Sequence, residues 1–219
     1  MSDYQIIEKA IEEVDKRTLG ITNQFLQIHD LVYHDNKPKI ARVDVEKENI
    51  AIVYFNVANE EFFLAVIINT KPNILATWAY IEPFHSVYFR ASSEILSLQE
   101  LSKLTNLQST RGRNKGDKRR PDTESEILFK FSTIDFEPNP EADEFEDKLN
   151  KLLNFLEQDK EGIRNLVGKA YSRIHVYSSF HNGNTKIGGH HITKDHIKRM
   201  GNLNLAIDFD ISADGNFFM

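Results

Sequence analysis

The chain has 219 residues, of which 40% are hydrophobic and 27% charged, with no cysteine and a formal net charge of −6. This composition is typical of a folded protein with a buried core, and the lack of cysteine excludes a disulfide scaffold, a thiol nucleophile and a thiolate metal site. The N-terminal segment is charged from Asp3 onward and the longest apolar run spans only residues 62–68. We therefore expect a cytoplasmic protein with neither a secretory signal nor a membrane span.

The first half of the chain predicts one helix followed by a series of strands. Apolar residues recur at helical spacing over residues 3–17, and Gly20 stands just beyond the expected end of this helix. Segments rich in Val, Ile, Phe and Tyr then predict strands, because these side chains favour a pleated, half-buried surface. The predicted strands cover residues 25–33, 40–45, 50–57, 62–69, 74–81 and 87–91. Short polar breaks separate them, which favours an antiparallel meander.

The second half mixes helices and strands. Ser97 and Glu100 form the sequence signature of a capping box, which predicts a short helix. Apolar residues from Phe145 to Leu156 recur at the spacing of an amphipathic helix, and Thr193 is expected to cap a helix that runs to about Met200. The other predicted elements are strands at 127–134, 171–180 and 203–211 and a helix at 161–170.

These elements predict an α+β fold with a mostly antiparallel sheet, an N-terminal helix and helices packed on one side of the sheet. We predict two domains. Residues 1–93 would form a helix plus an antiparallel meander, and residues 94–219 a second α+β domain. The strand at 87–91 could serve either half, or one continuous sheet could run through both.

Three motifs of the second half support a family resemblance. Residues 97–101 read Ser-Leu-Gln-Glu-Leu, residues 110–117 contain Thr-Arg-Gly and Lys-Gly-Asp, and residues 205–210 form an apolar strand with alternating acids. Over residues 88–215 the chain resembles the bacterial family named domain of unknown function 4279. The resemblance implies an α+β domain of no assigned activity, and similar domains beside polymorphic toxin genes suggest an immunity role by association. Asn114 stands where the family usually has an aromatic residue, so the role of that ring does not carry over.

A basic loop at residues 111–120 is the first candidate site, and two interpretations of it stay open. In the first, the loop binds the phosphate groups of a phospholigand or a nucleic acid. In the second, it is a solvated turn in which Asp117 pairs with a neighbouring arginine. A nucleic acid is the less favoured ligand, because the rest of the chain is acidic and no aromatic residues are interleaved. The candidate binding residues are Arg111, Arg113, Lys115, Asp117, Arg119 and Arg120.

An acidic segment at residues 135–147 is the second candidate site. Its candidate binding residues are Glu141, Asp143 and Glu144. One interpretation is that the segment mimics the charge of a nucleic acid and binds a basic toxin. In the other, the acids complement the dipole of the following helix and pair with Lys148 and Lys151 one turn further on.

The sequence contains no recognisable catalytic or metal-binding constellation. Asp208 and Asp210 share one face of a predicted strand and could act as acid and base, but no serine stands in a nucleophile elbow. His190, His191 and His196 lack the spacing of zinc ligands. We therefore predict no metal and no cofactor, and we do not assign an enzymatic activity.

The single tryptophan, Trp78, has two interpretations. A large aromatic side chain on a strand most often packs in a core, here between the meander and the helix. The alternative is an exposed anchor for a partner. We predict that Trp78 packs in the core.

Three functions follow, in order of preference. The first is a non-catalytic protein-binding module, for example an immunity-type protein that neutralises a cognate toxin. Its partner would be a basic protein, and no membrane contact is expected. The second is a nucleic-acid or phospholigand binder that uses the basic loop 111–120. The third is a hydrolase that uses Asp208, Asp210 or the histidines.

Overall fold

A computed structural model describes residues 3–119, 127–183 and 188–218 of the chain. These ranges contain two larger sheets, of four and five strands, together with a two-stranded hairpin and six α-helices. None of these helices has the length and the apolar content that crossing a bilayer requires.

The N-terminal unit packs two helices on a four-stranded antiparallel sheet. Helix α1 covers Asp3–Lys16 and α2 covers Gly20–Phe25. A short hairpin follows, with β1 at Tyr33–His34 and β2 at Lys37–Pro38. The sheet consists of β3 Ile40–Asp44, β4 Ile50–Asn56, β5 Phe63–Asn69 and β6 Leu75–Glu82, which pair in chain order.

Both faces of this sheet are buried. On one face, Ile6 and Ala10 of α1 pack in the same apolar cluster as Val53 of β4. On the other face, Tyr54 packs in a cluster with Ala142 from the second half of the chain. Burial on both sides explains why β4 and β5 are nearly continuous apolar runs rather than alternating ones.

The second half forms a five-stranded sheet and four helices. Its strands are β7 Phe84–Ser93, β8 Arg111–Arg113, β9 Ser132–Phe136, β10 Tyr171–His181 and β11 Ala206–Asp214. Their spatial order is β11-β10-β7-β9-β8, and only the β10–β11 pair is parallel. The helices are α3 Leu98–Ser102, α4 Phe145–Leu156, α5 Lys160–Lys169 and α6 Lys194–Asn202, and α6 lies in the crossover between the two parallel strands.

Helices α3, α4 and α5 pack on one face of the five-stranded sheet. Phe89, Ile134 and Ile174 are fully buried there in one cluster with Leu149 and Leu153 of α4. Because side chains alternate along a strand, the residues between them point to the opposite face. We call that surface the open face, because no helix of the described residues covers it.

The structure confirms the predicted α+β class, and several elements form where the sequence predicted them. Helix α1 and the strands β3 to β6 lie within a residue or two of the predicted bounds. Every apolar residue that was used to predict α4 is buried. Ser97 and Thr193 each form a complete capping box, with reciprocal hydrogen bonds between the cap residue and the third helical residue.

Two predicted strands are wrong in position. Residues 25–33 do not form a strand, since Phe25 ends α2 and a helical-type hydrogen bond from the His29 amide to the Phe25 carbonyl (3.0 Å) continues the turn. Ile21 and Phe25 stand at helical spacing, which outweighs the local preference for a strand. The predicted strand at 127–134 is interrupted, because its first residues pair with the loop before them and β9 begins only at Ser132.

Strand β7 and Trp78 also differ from expectation. β7 is longer than predicted and pairs with β9 and β10, so it belongs to the sheet of the second half; the domain division at residue 93 stays a prediction. Trp78 is 60% exposed, and its predicted core position is wrong. A register shift at Thr77 breaks the alternation along β6, which is an edge strand, so Trp78 faces outward.

Candidate functional site

The open face of the five-stranded sheet carries charged side chains from neighbouring strands. The register places Arg90 of β7 between Arg173 of β10 and Asp135 of β9. Arg111 and Arg113 of β8 lie next, beside β9. Strand pairing therefore brings four guanidinium groups, which are distant in sequence, onto one surface.

A pocket of about 770 Å³ opens on this face, where β7 ends and β10 begins. Large side chains with more than 40% exposure stand among its lining residues, namely Ile95, Phe131 and Tyr171. Its charged lining consists of four basic residues and one acidic residue, namely Arg90, Arg113, Lys169, Arg173 and Glu94. The pocket therefore combines an excess of positive charge with an apolar rim.

Two of the pocket's arginines are already paired with carboxylates. Arg90 Nε and Nη2 donate to the two carboxylate oxygens of Asp135, at 2.7 and 2.6 Å. Arg173 forms an ion pair with Asp208 and donates to the Tyr171 hydroxyl at 2.8 Å. Bidentate and charge-assisted bonds of this kind fix a guanidinium group in place. These pairs give the pocket a rigid wall but largely cancel the charge of its two arginines.

Arg113 has no such partner among the described residues. Its Nε atom is buried without a hydrogen bond, and its guanidinium group lies 4.0 Å from the centroid of the Phe129 ring. Burial and the positive charge of Arg90 lower the pKa of Arg113. Lys169, another lining residue of the pocket, also makes no ion pair within the described ranges. Two cationic residues thus line the pocket without an ion-pair partner among the described residues.

Asp117 and Asn114 shape the turn that follows β8. Asp117 Oδ2 accepts a hydrogen bond from the amide of Asn114 at 2.7 Å. The predicted ion pair between Asp117 and an arginine is not formed with any described residue. Asn114 Oδ1 accepts from the amide of Leu98 at 2.9 Å, so this residue links the turn to the start of α3.

The remaining residues of the basic loop do not line the pocket. Arg111 Nη2 donates to Glu137 at 2.8 Å, and Lys115 Nζ donates to a backbone carbonyl at 3.1 Å. The guanidinium group of Arg119 lies 5.6 Å from the Phe129 ring centroid. Arg120 lies outside the described residues. Of the described basic residues predicted as binding residues, only Arg113 therefore lines this pocket with an unengaged charge.

In the acidic segment, Asp143 is bound within the molecule. It is 1% exposed and contacts Arg42 Nη1 at 2.7 Å and Lys151 Nζ at 3.0 Å. Burial acts to raise the pKa of Asp143, but the hydrogen bonds from Arg42 and Lys151 outweigh it and lower that pKa. Asp143 thus joins the second half of the chain to β3, which carries Arg42.

The neighbouring acids of this segment also face the N-terminal unit. Glu144 pairs with Lys47 at 2.8 Å, and Glu141, which is 67% exposed, approaches Arg42 at 4.0 Å. The pair predicted between Glu144 and Lys148 is not formed among the described residues; Lys148 Nζ donates to a backbone carbonyl instead. Most of the segment's charge is therefore used in contacts between the two halves.

A chain of buried polar side chains crosses the helix side of the second sheet. Ser178 Oγ lies 2.7 Å from His85 Nδ1 and 2.8 Å from His190 Nε2, and His85 Nε2 lies 3.5 Å from a carboxylate oxygen of Glu82. Burial lowers the pKa of both imidazoles to about 4, so both are neutral near pH 7. Because Ser178 is fully buried, its hydroxyl group joins the two histidines instead of facing a substrate.

The candidate catalytic aspartates do not converge on a pocket. Asp208 and Asp210 are exposed on β11, which is an edge strand, and Asp208 is paired with Arg173. The arrangement of these two carboxylates is that of a solvated sheet edge.

Sequence reasoning identified Arg113 but missed the side chains that surround it. Arg90, Lys169 and Arg173 belong to other elements, and no spacing rule connects them to residue 113. Alternating polar and apolar residues along 86–92 and 171–177 were the available signal, because they indicate a sheet with one polar face. The convergence itself depends on the strand order, which the sequence does not reveal.

One family model matches most of the second half of the chain. The family model described as a domain of unknown function (DUF4279) matches residues 82–214, which begin just before β7 and include the whole five-stranded sheet. No curated protein and no solved structure matches the chain. Since the match covers more than half of the sequence, the chain belongs to the DUF4279 family.

Proposed function

We propose that this protein is a non-catalytic binding module that takes a small phosphate-bearing ligand in the pocket of the open face. The observation that carries the proposal is Arg113, a guanidinium group without an ion-pair partner among the described residues, in a pocket of about 770 Å³. Lys169, which also lines the pocket, adds a second charge without an ion-pair partner among the described residues. The ligand would therefore bind at the sheet surface that carries Arg113, and not along the whole loop 111–120 as the sequence predicted.

The chemistry of the pocket favours phosphate as the recognised group. A guanidinium group presents planar N–H donors that match the oxygens of a phosphate, and an ammonium group adds a point charge. Arg90 and Arg173 are held in place by their carboxylates, so the pocket wall is formed before the ligand arrives. Exposed Tyr171 and Phe131 at the rim would contact the apolar part of the ligand.

The test is isothermal titration calorimetry, in which inorganic phosphate or sulfate is titrated into the purified full chain and the affinity is measured. We expect saturable binding that weakens with added salt, and a loss of roughly tenfold or more in Arg113→Ala, because hydrogen bonds to charged groups contribute about 1.5–3 kcal/mol. Lys118→Ala is the matched control, since Lys118 is an exposed cation on the same loop but outside the pocket. Binding that is equal in Arg113→Ala and wild type, or no saturable binding of either anion, would overturn the proposal.

A second candidate function is the binding of a basic protein, as an immunity-type protein in a bacterial cytoplasm would do. The observation in its favour is the edge strand β6, where Leu75 and Trp78 are 58% and 60% exposed. An edge strand with free backbone groups can pair with a strand of a partner, and the net charge of −6 favours a basic one.

The test of this second function is a pull-down from nuclease-treated lysate of the source organism, with the retained proteins identified by mass. We expect the wild-type chain to retain one basic protein at near-equal stoichiometry. The control variant Tyr33→Ala, which removes an exposed ring elsewhere, should retain the same protein, and Trp78→Ala should not. If Trp78→Ala retains the same protein as wild type, the partner does not bind at β6.

A further inference from the structure

A second pocket lies at the junction of the two sheets, away from the open face. Its volume is about 320 Å³. Three carboxylates and two neutral imidazoles line it, namely Glu82, Glu144, Glu146, His85 and His190. The apolar part of its wall includes Phe145 and Phe180, which are buried. The pocket is thus rich in hydrogen-bond acceptors, and its described lining contains no lysine or arginine.

Glu82 is the unusual member of this lining. It is 5% exposed, and its carboxylate accepts no hydrogen bond from any residue that the structure describes. The nearest side chain is His85, whose Nε2 atom lies 3.5 Å away and is not positively charged near pH 7. A buried carboxyl group without a cationic partner is costly to ionise, so a ligand that brings a positive charge would stabilise its carboxylate form.

The other two carboxylates differ in how far they are compensated. Glu144 pairs with Lys47 at 2.8 Å. Glu146 accepts a hydrogen bond from the amide of His191 at 3.0 Å but has no cationic partner among the described side chains. Among the described residues, two of the pocket's three acids, Glu82 and Glu146, therefore have no cationic partner.

We infer that this pocket binds a protonated alkylamine, with the ammonium group at Glu82 and Glu146 and the methylene chain against the apolar part of the pocket wall. An ammonium group has three donors and no acceptor, which matches the carboxylate acceptors of the lining. No three of the described His, Asp and Glu side chains converge as metal ligands, so the geometry favours an organic cation over a metal ion. The site is independent of the phosphate pocket.

Two sources could supply this chemistry. One is a free alkylamine, and the other is the lysine side chain of a protein partner, which ends in the same butylammonium group. We use n-butylamine hydrochloride as the probe for the first source and Nα-acetyl-lysine amide for the second. Each is titrated into the full chain at pH 7 in a solution without buffer, and the base needed to keep the pH constant is recorded.

Proton release supplies a readout that depends on Glu82. Burial, with the charges of nearby acids, raises the pKa of Glu82 to about 8, so the empty pocket holds it mainly protonated at pH 7. An arriving ammonium group would favour the carboxylate and release close to one proton per bound amine. The groups that act on Glu82 from the surrounding elements are Glu144, Glu146, Asp143, Lys47, His85, Tyr54 and Tyr80.

Glu82→Gln is the decisive variant, because glutamine has nearly the shape of the protonated acid and leaves the packing unchanged. We expect it to weaken butylammonium binding at least tenfold and to abolish the proton release. Glu161→Gln, an exposed acid on α5, serves as the matched control and should behave as wild type. Glu146→Gln should weaken binding severalfold without removing the proton release.

The outcomes separate as follows. Binding of both probes supports a pocket that accepts a lysine side chain, and binding of n-butylamine alone supports a free alkylamine. Absence of saturable binding by both probes would overturn the inference, as would equal affinity in wild type and Glu82→Gln. Neither result affects the phosphate pocket, which contains none of these residues.

Discussion

Removing the Asp143 carboxylate should destabilise the protein more than removing any exposed acid of the same segment. Asp143 is 1% exposed and contacts Arg42, whose side chain is 8% exposed, as well as Lys151 and Asn139. In Asp143→Ala, Arg42 keeps a 3.1 Å contact with the exposed Glu46 and a 3.4 Å contact with Asp44, but loses its 2.7 Å buried partner. Breaking one side of a buried ion pair costs about 3–5 kcal/mol.

The matched control for this variant is Glu141→Ala. Glu141 belongs to the same segment and approaches the same arginine, but its side chain is 67% exposed and the closest distance is 4.0 Å. Exposed ion pairs contribute about 0–1 kcal/mol, so this variant should remain close to wild type. The measurement is the free energy of unfolding from urea denaturation, followed by far-UV circular dichroism.

The difference in the free energy of unfolding between the two variants should also depend on pH. The pKa of Asp143 is lowered in the folded state, so its contribution to stability is complete above the ordinary aspartate value of about 3.9 and is lost as the pH falls through the folded-state pKa. The two variants should therefore converge in stability at strongly acidic pH. The reasoning is refuted if Glu141→Ala costs as much as Asp143→Ala at pH 7, or if Asp143→Ala costs less than about 1 kcal/mol.

Three further predictions concern local structure. Thr193→Ala removes the hydroxyl of a complete capping box and should lower the free energy of unfolding by about 1 kcal/mol, measured by urea denaturation. Gly162→Ala should destabilise by about 1–3 kcal/mol in the same assay although alanine favours helices, because the added Cβ would lie 2.7 Å from the Cα of Thr105. His29 and His181 share a 3.0 Å contact, and burial lowers the pKa of each. Because the unfolded chain takes up protons first, the free energy of unfolding should fall as the pH drops from 7 to 5, and less steeply in His181→Asn; an equal slope would contradict this.

The sequence predicted best those elements whose local signals agree with their tertiary role. In α4 the apolar period and the buried face coincide, and at Thr193 the cap residue and its helix are adjacent in the chain. Residues 25–33 failed because aromatic and branched residues there suit a strand locally, while the burial of Phe25 against Phe62 and His181 favours a helical turn. The strand propensity of a segment does not depend on contacts with residues that are distant in the sequence, so it could not predict this helical turn.

The candidate sites were less predictable for the same reason. Glu82 and His85 are close in sequence, but Ser178 reaches His85 only through the pairing of β7 with β10. Register also explains why Arg113 has no ion-pair partner among the described residues, because Thr133 rather than an acid stands opposite it on β9. The sequence gives the position of each charged residue along the chain, whereas the strand order decides which charged residues lie close together.

The basic loop and the acidic segment show how differently charges of one chain can be used. Arg42 is almost fully buried, and a guanidinium group in that position requires carboxylates close by; Asp143 and Asp44 meet that requirement, so the acids serve the junction of the two halves. Arg113 is only half buried, and its contact with Phe129 supports its side chain without neutralising its charge. Its pKa is lowered, which shows that the surroundings disfavour the charged form, and an arriving anion would remove that penalty. Net charge alone would favour the acidic segment as a binding surface, but the pairing of individual groups favours the cationic pocket on the open face.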